Sequence, residues 1–274
     1  MKIYIACLLL LISQPIFGQN EAGNLSKYWQ YRTRLVNDFM VVGEGQGRSI
    51  PAGGRDPVAN CQSDWWMQRD KCPRPKGTGK LQWGDGTIHL GYYITVLATE
   101  LKLLSDAGQK TEQTAEELYY AIMALERLDE EAERRYGQRG EKNGFFIRDD
   151  VTTDILYDKN GEANFPKGKN SAYQCVKSAS NCGEASVKDG YFISQDQAIS
   201  LLFSFTCVTE LIPDKRWGNK ETFGELAALN THRIVSYMRD NKWRIVAPDG
   251  EKAPNRWGGD CRPFSYSIAK TANR

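Results

Sequence analysis

Between residues 88 and 104 the chain carries Leu90, Tyr92, Tyr93, Ile94, Val96, Leu97, Leu101 and Leu104, apolar groups spread over more than one face of a helix. A helix covered in this way is buried on most sides, so other elements have to surround it. The next segment supplies one of them. Thr114 and Glu117 have the spacing of a capping box. Behind them Leu118, Tyr119, Ile122, Leu125 and Leu128 form one apolar stripe, while Glu126, Arg127, Glu130, Glu131 and Arg134 form the wet side. The pattern predicts an outer helix packed on an inner one.

The same succession returns after a long loop-rich stretch. Ser194 and Gln197 form a second capping box before Ala198, Ile199, Leu201, Leu202, Phe203, Phe205, Val208 and Leu211, and Pro213 ends the run. Residues 223–239 are amphipathic again, through Leu226, Leu229, Ile234, Val235 and Met238. Each inner helix follows a glycine-, aspartate- and aromatic-containing turn: Trp83-Gly84-Asp85-Gly86, then Asp189-Gly190-Tyr191-Phe192. A third such turn, Trp257-Gly258-Gly259-Asp260, precedes a third inner helix expected near Ser265. The expected fold class is all-α: an incomplete α/α toroid of helical hairpins, with long loops and minor β-hairpins. One of those hairpins turns at Asp158-Lys159-Asn160-Gly161. Residues 144–148 read as a short apolar segment packing into the core. Residues 19–274 form one expected domain, cut short at its C-terminal end.

Residues 1–18 begin with Lys2, continue through an apolar run over 3–12 and reach Gly18, the order of a signal peptide. The expected location is therefore secreted or periplasmic. The run is too short to span a bilayer, so no membrane insertion is expected. A formal charge of +2 gives no electrostatic basis for nucleic-acid binding. Six cysteines follow the leader: Cys61, Cys72, Cys175, Cys182, Cys207 and Cys261. In an exported chain they point to disulfides, with two local loops expected, Cys61 to Cys72 and Cys175 to Cys182. Cys207, inside an apolar helical run, reads as a buried thiol.

Several chemistries lack their residues. The only two histidines, His89 and His232, lie far apart, and there is no Gly-x-Ser-x-Gly elbow. Gly77-Thr78-Gly79-Lys80 is followed by Leu81 where a phosphate loop needs Ser or Thr. No metal and no cofactor are expected. What remains is acidic and aromatic. Loops leading into the inner helices open at one end of a ring, which would gather Asp85, Asp149, Asp150 and Asp196 as catalytic carboxylates. Trp66, Trp83, Arg148, Gln197 and Trp257 would be the substrate-binding groups around them. Two carboxylates flanking a glycosidic bond can divide acid and base roles, and tryptophan faces can stack on sugar rings. Structural roles compete for the same residues. Asp85 precedes a glycine, as turn residues do, and Asp196 lies in a first helical turn, where a carboxylate complements the helix dipole.

The segments Trp83-Gly84-Asp85-Gly86-Thr87-Ile88, Gly144-Phe145-Phe146-Ile147-Arg148-Asp149-Asp150 and Ser194-Gln195-Asp196-Gln197 resemble a group of secreted bacterial proteins of uncharacterised function. In layout the chain also resembles the six-hairpin α/α-toroid glycosidases and related lyases. That resemblance implies an oligosaccharide or polysaccharide partner, with Asp85, Asp149, Asp150 and Asp196 as the acids of a cleft. A glycan-binding module without turnover and a structural protein of the cell envelope are the other two expectations.

Overall fold

The computed structural model describes residues 21–42, 50–51, 80–82, 85–136, 142–149, 174–177, 193–250 and 252. The chain divides into two compact units, residues 1–35 and 36–274. The described part of the first lies in α1, Glu21–Phe39, a helix the sequence pattern did not announce. Polar residues interrupt its apolar stripe, and Leu25 and Tyr31 stand exposed. Tyr28 and Trp29 meet edge to face, ring centroids 5.2 Å apart.

The described part of the second unit is mostly helical. Its helices are α2 (Gly86–Asp106), α3 (Glu112–Arg135), α4 (Gln195–Leu211) and α5 (Phe223–Asp240). Four short strands accompany them. β1 (Met40–Val42) pairs antiparallel with β2 (Ile50–Pro51), and β3 (Lys80–Gln82) pairs parallel with β4 (Gln174–Lys177). The turn expected at 158–161 lies outside the described residues.

α2 is buried as its composition requires. Leu90, Ile94, Leu97 and Leu101 are closed to solvent, and removing side chains of this size from water contributes about 1.5–3 kcal/mol each. The helix packs on α4 along one side and on α3 along another, and the α2–α4 interface is the most extensive among the described elements. Gly91 sets the approach of that pair. A Cβ there would stand 2.4 Å from Ser200 Oγ and 2.8 Å from the Ser200 backbone, so only glycine admits this spacing. Ser200 in turn donates its hydroxyl to the Ile88 carbonyl at 3.0 Å.

Helix ends follow local chemistry with one correction. α4 starts at the Ser194–Gln197 box, where Gln197 Oε1 accepts the Ser194 N–H at 3.0 Å, and it stops just before Pro213. α5 starts at a complete box the sequence reading had not named. The Glu225 N–H reaches Thr222 Oγ1 at 3.2 Å, and the Thr222 N–H reaches Glu225 Oε2 at 2.8 Å. The box expected at Thr114 and Glu117 is instead a tie between helices. α3 begins at Glu112, which leaves Thr114 inside its first turn, donating to Glu100 Oε1 of α2 at 2.6 Å. Glu117 Oε2 accepts the Tyr93 hydroxyl of α2, also at 2.6 Å. Both side chains turn sideways because the neighbouring helix offers buried polar partners.

Residues 142–149 pass from between α3 and α5 to the start of α2, and the apolar part packs into the core as its sequence predicts. Phe145 and Phe146 are fully buried. The Ile147 N–H points to the Leu128 carbonyl at 3.4 Å, and the Ile193 N–H reaches the Phe146 carbonyl at 3.1 Å. Gly144 makes this passage possible. Its φ is +90°, and a Cβ would fall 2.3 Å from the Arg233 carbonyl carbon.

Candidate functional site

α2 and α4 run parallel. Ser200 bonds the Ile88 carbonyl near both helix starts, and two turns farther along each helix the Cys207 thiol meets Thr95. Their N-termini therefore share one end, and Arg148 and Asp149 pass that end too. Were Gly86 to carry a Cβ, it would lie 3.0 Å from the Arg148 carbonyl oxygen and 3.7 Å from Asp149 Cβ. Asp85, Arg148, Asp149, Asp196 and Gln197 are thus brought to the end where the two helices begin. Asp150, Trp66, Trp83 and Trp257 lie outside the described residues.

The assembled residues differ in what they offer a ligand. Asp85 is exposed. Its carbonyl accepts the N–H groups of Ile88 at 3.0 Å and His89 at 3.1 Å, but its carboxylate makes no capping bond. Asp196 is exposed as well, with one oxygen committed to the cap. It accepts the Gln197 N–H at 3.1 Å and the Ser194 hydroxyl. Asp149 is fully buried. Gln197, expected to bind substrate, is equally buried and orders the start of α4 through its cap bond. Arg148 is half-buried.

Two buried polar atoms at the same end, Thr87 Oγ1 and His89 Nδ1, have no hydrogen-bond partner among the described residues. Such atoms are uncommon in folded proteins. Burial lowers the pKa of His89, against the opposing pull of Asp85, so the imidazole is neutral near pH 7. The exposed sides of α2 and α4 continue away from this end with Tyr92, Val96, Leu103 and Phe203 open to solvent.

A second polar cluster, which the sequence reading missed, sits between α3, α5 and residues 142–144. Glu126, Asp129 and Glu133 recur at helical spacing on one buried face of α3. Glu126, expected on the wet side, accepts Arg233 Nη1 at 2.8 Å, Asn230 Nδ2 at 3.1 Å and the Lys142 ammonium. Burial raises its pKa, but hydrogen bonds from Lys142 and Arg233 and their charges outweigh this and hold it below the usual glutamate value. Asp129 accepts the Gly144 N–H at 2.8 Å and the Asn143 N–H at 3.2 Å; its burial nevertheless pushes its pKa up to about 6. Burial raises Glu133 as well, opposed by a bond from the Asn143 amide. The acids clip the 142–144 segment against two helices. Their spacing was the available signal, because three carboxylates on one helix face need partners if that face is covered.

Beside this cluster opens a cavity of about 1020 Å³ between one face of α5 and residues 246–250. Leu229, placed by the sequence pattern among buried residues, is 43% exposed because it lines this cavity. Asp85, Asp149 and Asp196 do not border it. Among the described residues, no group of three His, Cys, Asp or Glu side chains could hold a metal ion. No helix there is long and apolar enough to cross a membrane. Cys207 is a free, half-buried thiol whose pKa is raised by burial, with Thr95 opposing. The loops expected at Cys61–Cys72 and Cys175–Cys182 involve residues or side chains outside the description.

No protein-family model matches the chain, and neither a curated protein nor a solved structure is similar enough to match it.

Proposed function

We propose that the protein is exported and acts on carbohydrate, as a glycoside hydrolase built on an incomplete α/α toroid. Asp85 supplies one carboxylate of the catalytic pair, and Asp196 or Asp150 supplies the other. One observation carries this reading: two parallel helices begin side by side, each with an exposed aspartate at its start. The Asp85 carboxylate is uncommitted to a cap, as a group that must change protonation during a reaction should be. The neutral His89 beside it supplies no compensating positive charge. Unsatisfied atoms on Thr87 and His89 add polar capacity to the same place. Asp149, being buried, holds the segment in position.

The test is hydrolysis of neutral and acidic oligosaccharides by the full chain and by Asp85→Asn, Asp196→Asn and Asp149→Asn. The expected result is turnover that falls at least about a hundredfold in Asp85→Asn. Its melting temperature should stay within about 2 °C of the parent, while Asp149→Asn melts clearly lower. Unchanged turnover in both exposed variants would sink the assignment of the pair. Saccharide binding with no product after long incubation would leave a glycan-binding module.

A second reading draws on the exposed apolar side chains of α2 and α4. Tyr92, Val96, Leu103 and Phe203 lie along helices otherwise deeply packed, as in an interaction protein of the cell envelope. Absence of any saccharide binding would favour it.

A further inference from the structure

We propose that the cavity beside α5 is a saccharide subsite that seats a neutral sugar unit, separate from the acids at the starts of α2 and α4. Its ligand class rests on the carbohydrate reading above, whereas its location and chemistry are its own. One wall is a single helical face, since Leu229, His232, Arg233, Ser236 and Asp240 follow one another at helical spacing. The Ser236 hydroxyl and the His232 imidazole are engaged by no other described group, and Arg233 uses only Nη1, on Glu126. Donors therefore face the cavity from the middle of the helix, and Asp240, whose Oδ1 already accepts Arg239 Nε at 3.0 Å, offers its other carboxylate oxygen as an acceptor at the helix end.

Another part of the lining is apolar and fixed. Val246, Ala247 and Pro248 form it. Tyr237 anchors it, its hydroxyl accepting the Val246 N–H at 3.1 Å and donating to the Val246 carbonyl. The turn before it places two consecutive non-glycine residues in the left-handed region, Lys242 at φ 57° and Trp243 at φ 59°. Such conformations persist where the surroundings enforce them, and a wall held in this way is organised before any ligand arrives.

A neutral sugar matches this arrangement better than an anion does. Its hydroxyls both donate and accept, and its C–H face suits Leu229 and Pro248. The charge of the two cations is already met by neighbouring acids, so Arg233 offers the cavity hydrogen-bond donors rather than net charge for a carboxylate or phosphate. Lys142 and Arg233 already share Glu126, with Asp129 and Glu133 behind them. The volume lies at the upper end of the range of small-ligand sites, roughly 300–1,000 Å³.

The two histidines make the test direct, because His232 borders the cavity and His89 borders the acid end. The full chain is titrated with cellohexaose, maltohexaose, mannohexaose and xylohexaose while both imidazole resonances are followed by NMR. The expected result is a saturable shift of His232 with at least one sugar, weakened at least tenfold by Ser236→Trp and by Asp240→Asn. Movement of His89 alone would overturn the subsite and leave the carbohydrate reading standing. Movement of neither resonance would overturn both. A His232 shift indifferent to both substitutions would also overturn the subsite. Tighter binding of glucuronate or inorganic phosphate than of every neutral sugar would overturn the ligand class.

Discussion

Arg233 on α5 and Glu126 on α3 join helices 107 positions apart through a 2.8 Å ion pair, and Lys142 bonds the other carboxylate oxygen. Replacing Glu126 with Ala strands two largely enclosed cations and the Asn230 amide. The expected loss is on the order of 3 kcal/mol, read from the shift of a urea unfolding midpoint. Because the folded-state pKa of Glu126 is depressed, its contribution is present above the unfolded glutamate value and is lost as pH falls through the folded one. A Glu126→Ala chain should therefore lose less stability on acidification than its parent.

Asp129 works in the opposite sense. Its pKa of about 6 lies above the unfolded value of 3.8, so between these limits the folded chain binds the extra proton. The stabilisation from this proton is fully present below pH 3.8 and is lost as pH rises through 6, a change of about 3 kcal/mol. Stability curves of the parent and of Asp129→Asn should diverge in shape across this interval, with the parent falling relative to the variant. Parallel curves from pH 4 to 7 would show that Asp129 titrates normally.

Two glycines separate backbone strain from steric exclusion. Gly108 has φ +63° with open space around it, and Gly144 has φ +90° with the Arg233 backbone 2.3 Å from any added Cβ. Alanine at 108 is expected to cost about 1–2 kcal/mol, the left-handed penalty alone. Alanine at 144 should cost at least about 2 kcal/mol more, since neighbouring backbone has to move. Equal thermal unfolding of the two variants would mean that residues 142–144 detach easily.

The helices α2 to α5 were legible in the sequence because apolar spacing and capping residues are local signals, and the observed bounds differ from the expected ones by about a turn at most. What the spacing did not reveal was which polar residues would be covered. Thr114 and Glu117 satisfy a capping pattern, yet Glu100 and Tyr93 of α2 claim their side chains. Glu126 belongs to the polar side of α3 by periodicity, but that side is roofed by Lys142, Asn230 and Arg233, groups up to 107 positions away. Of the candidate site, Asp85 and Asp196 were read as accessible carboxylates and are exposed. The burial of Asp149 and Gln197 depends on tertiary packing that one sequence does not disclose.

The seam between α2 and α4 also orders events in time. Tyr93 finds Glu117 only 24 positions away, whereas Ser200 reaches back 112 positions to Ile88. Closing the longer loop costs more entropy and slows folding, so the α2–α3 hairpin forms early and the seam zips late. Gly91→Ala, which crowds the seam alone, should then hasten unfolding several-fold while leaving the refolding rate nearly unchanged in a denaturant chevron. A chain caught before that last step would carry the inner faces of both helices uncovered, and its lifetime in that state would set how much of the newly made protein is lost to aggregation.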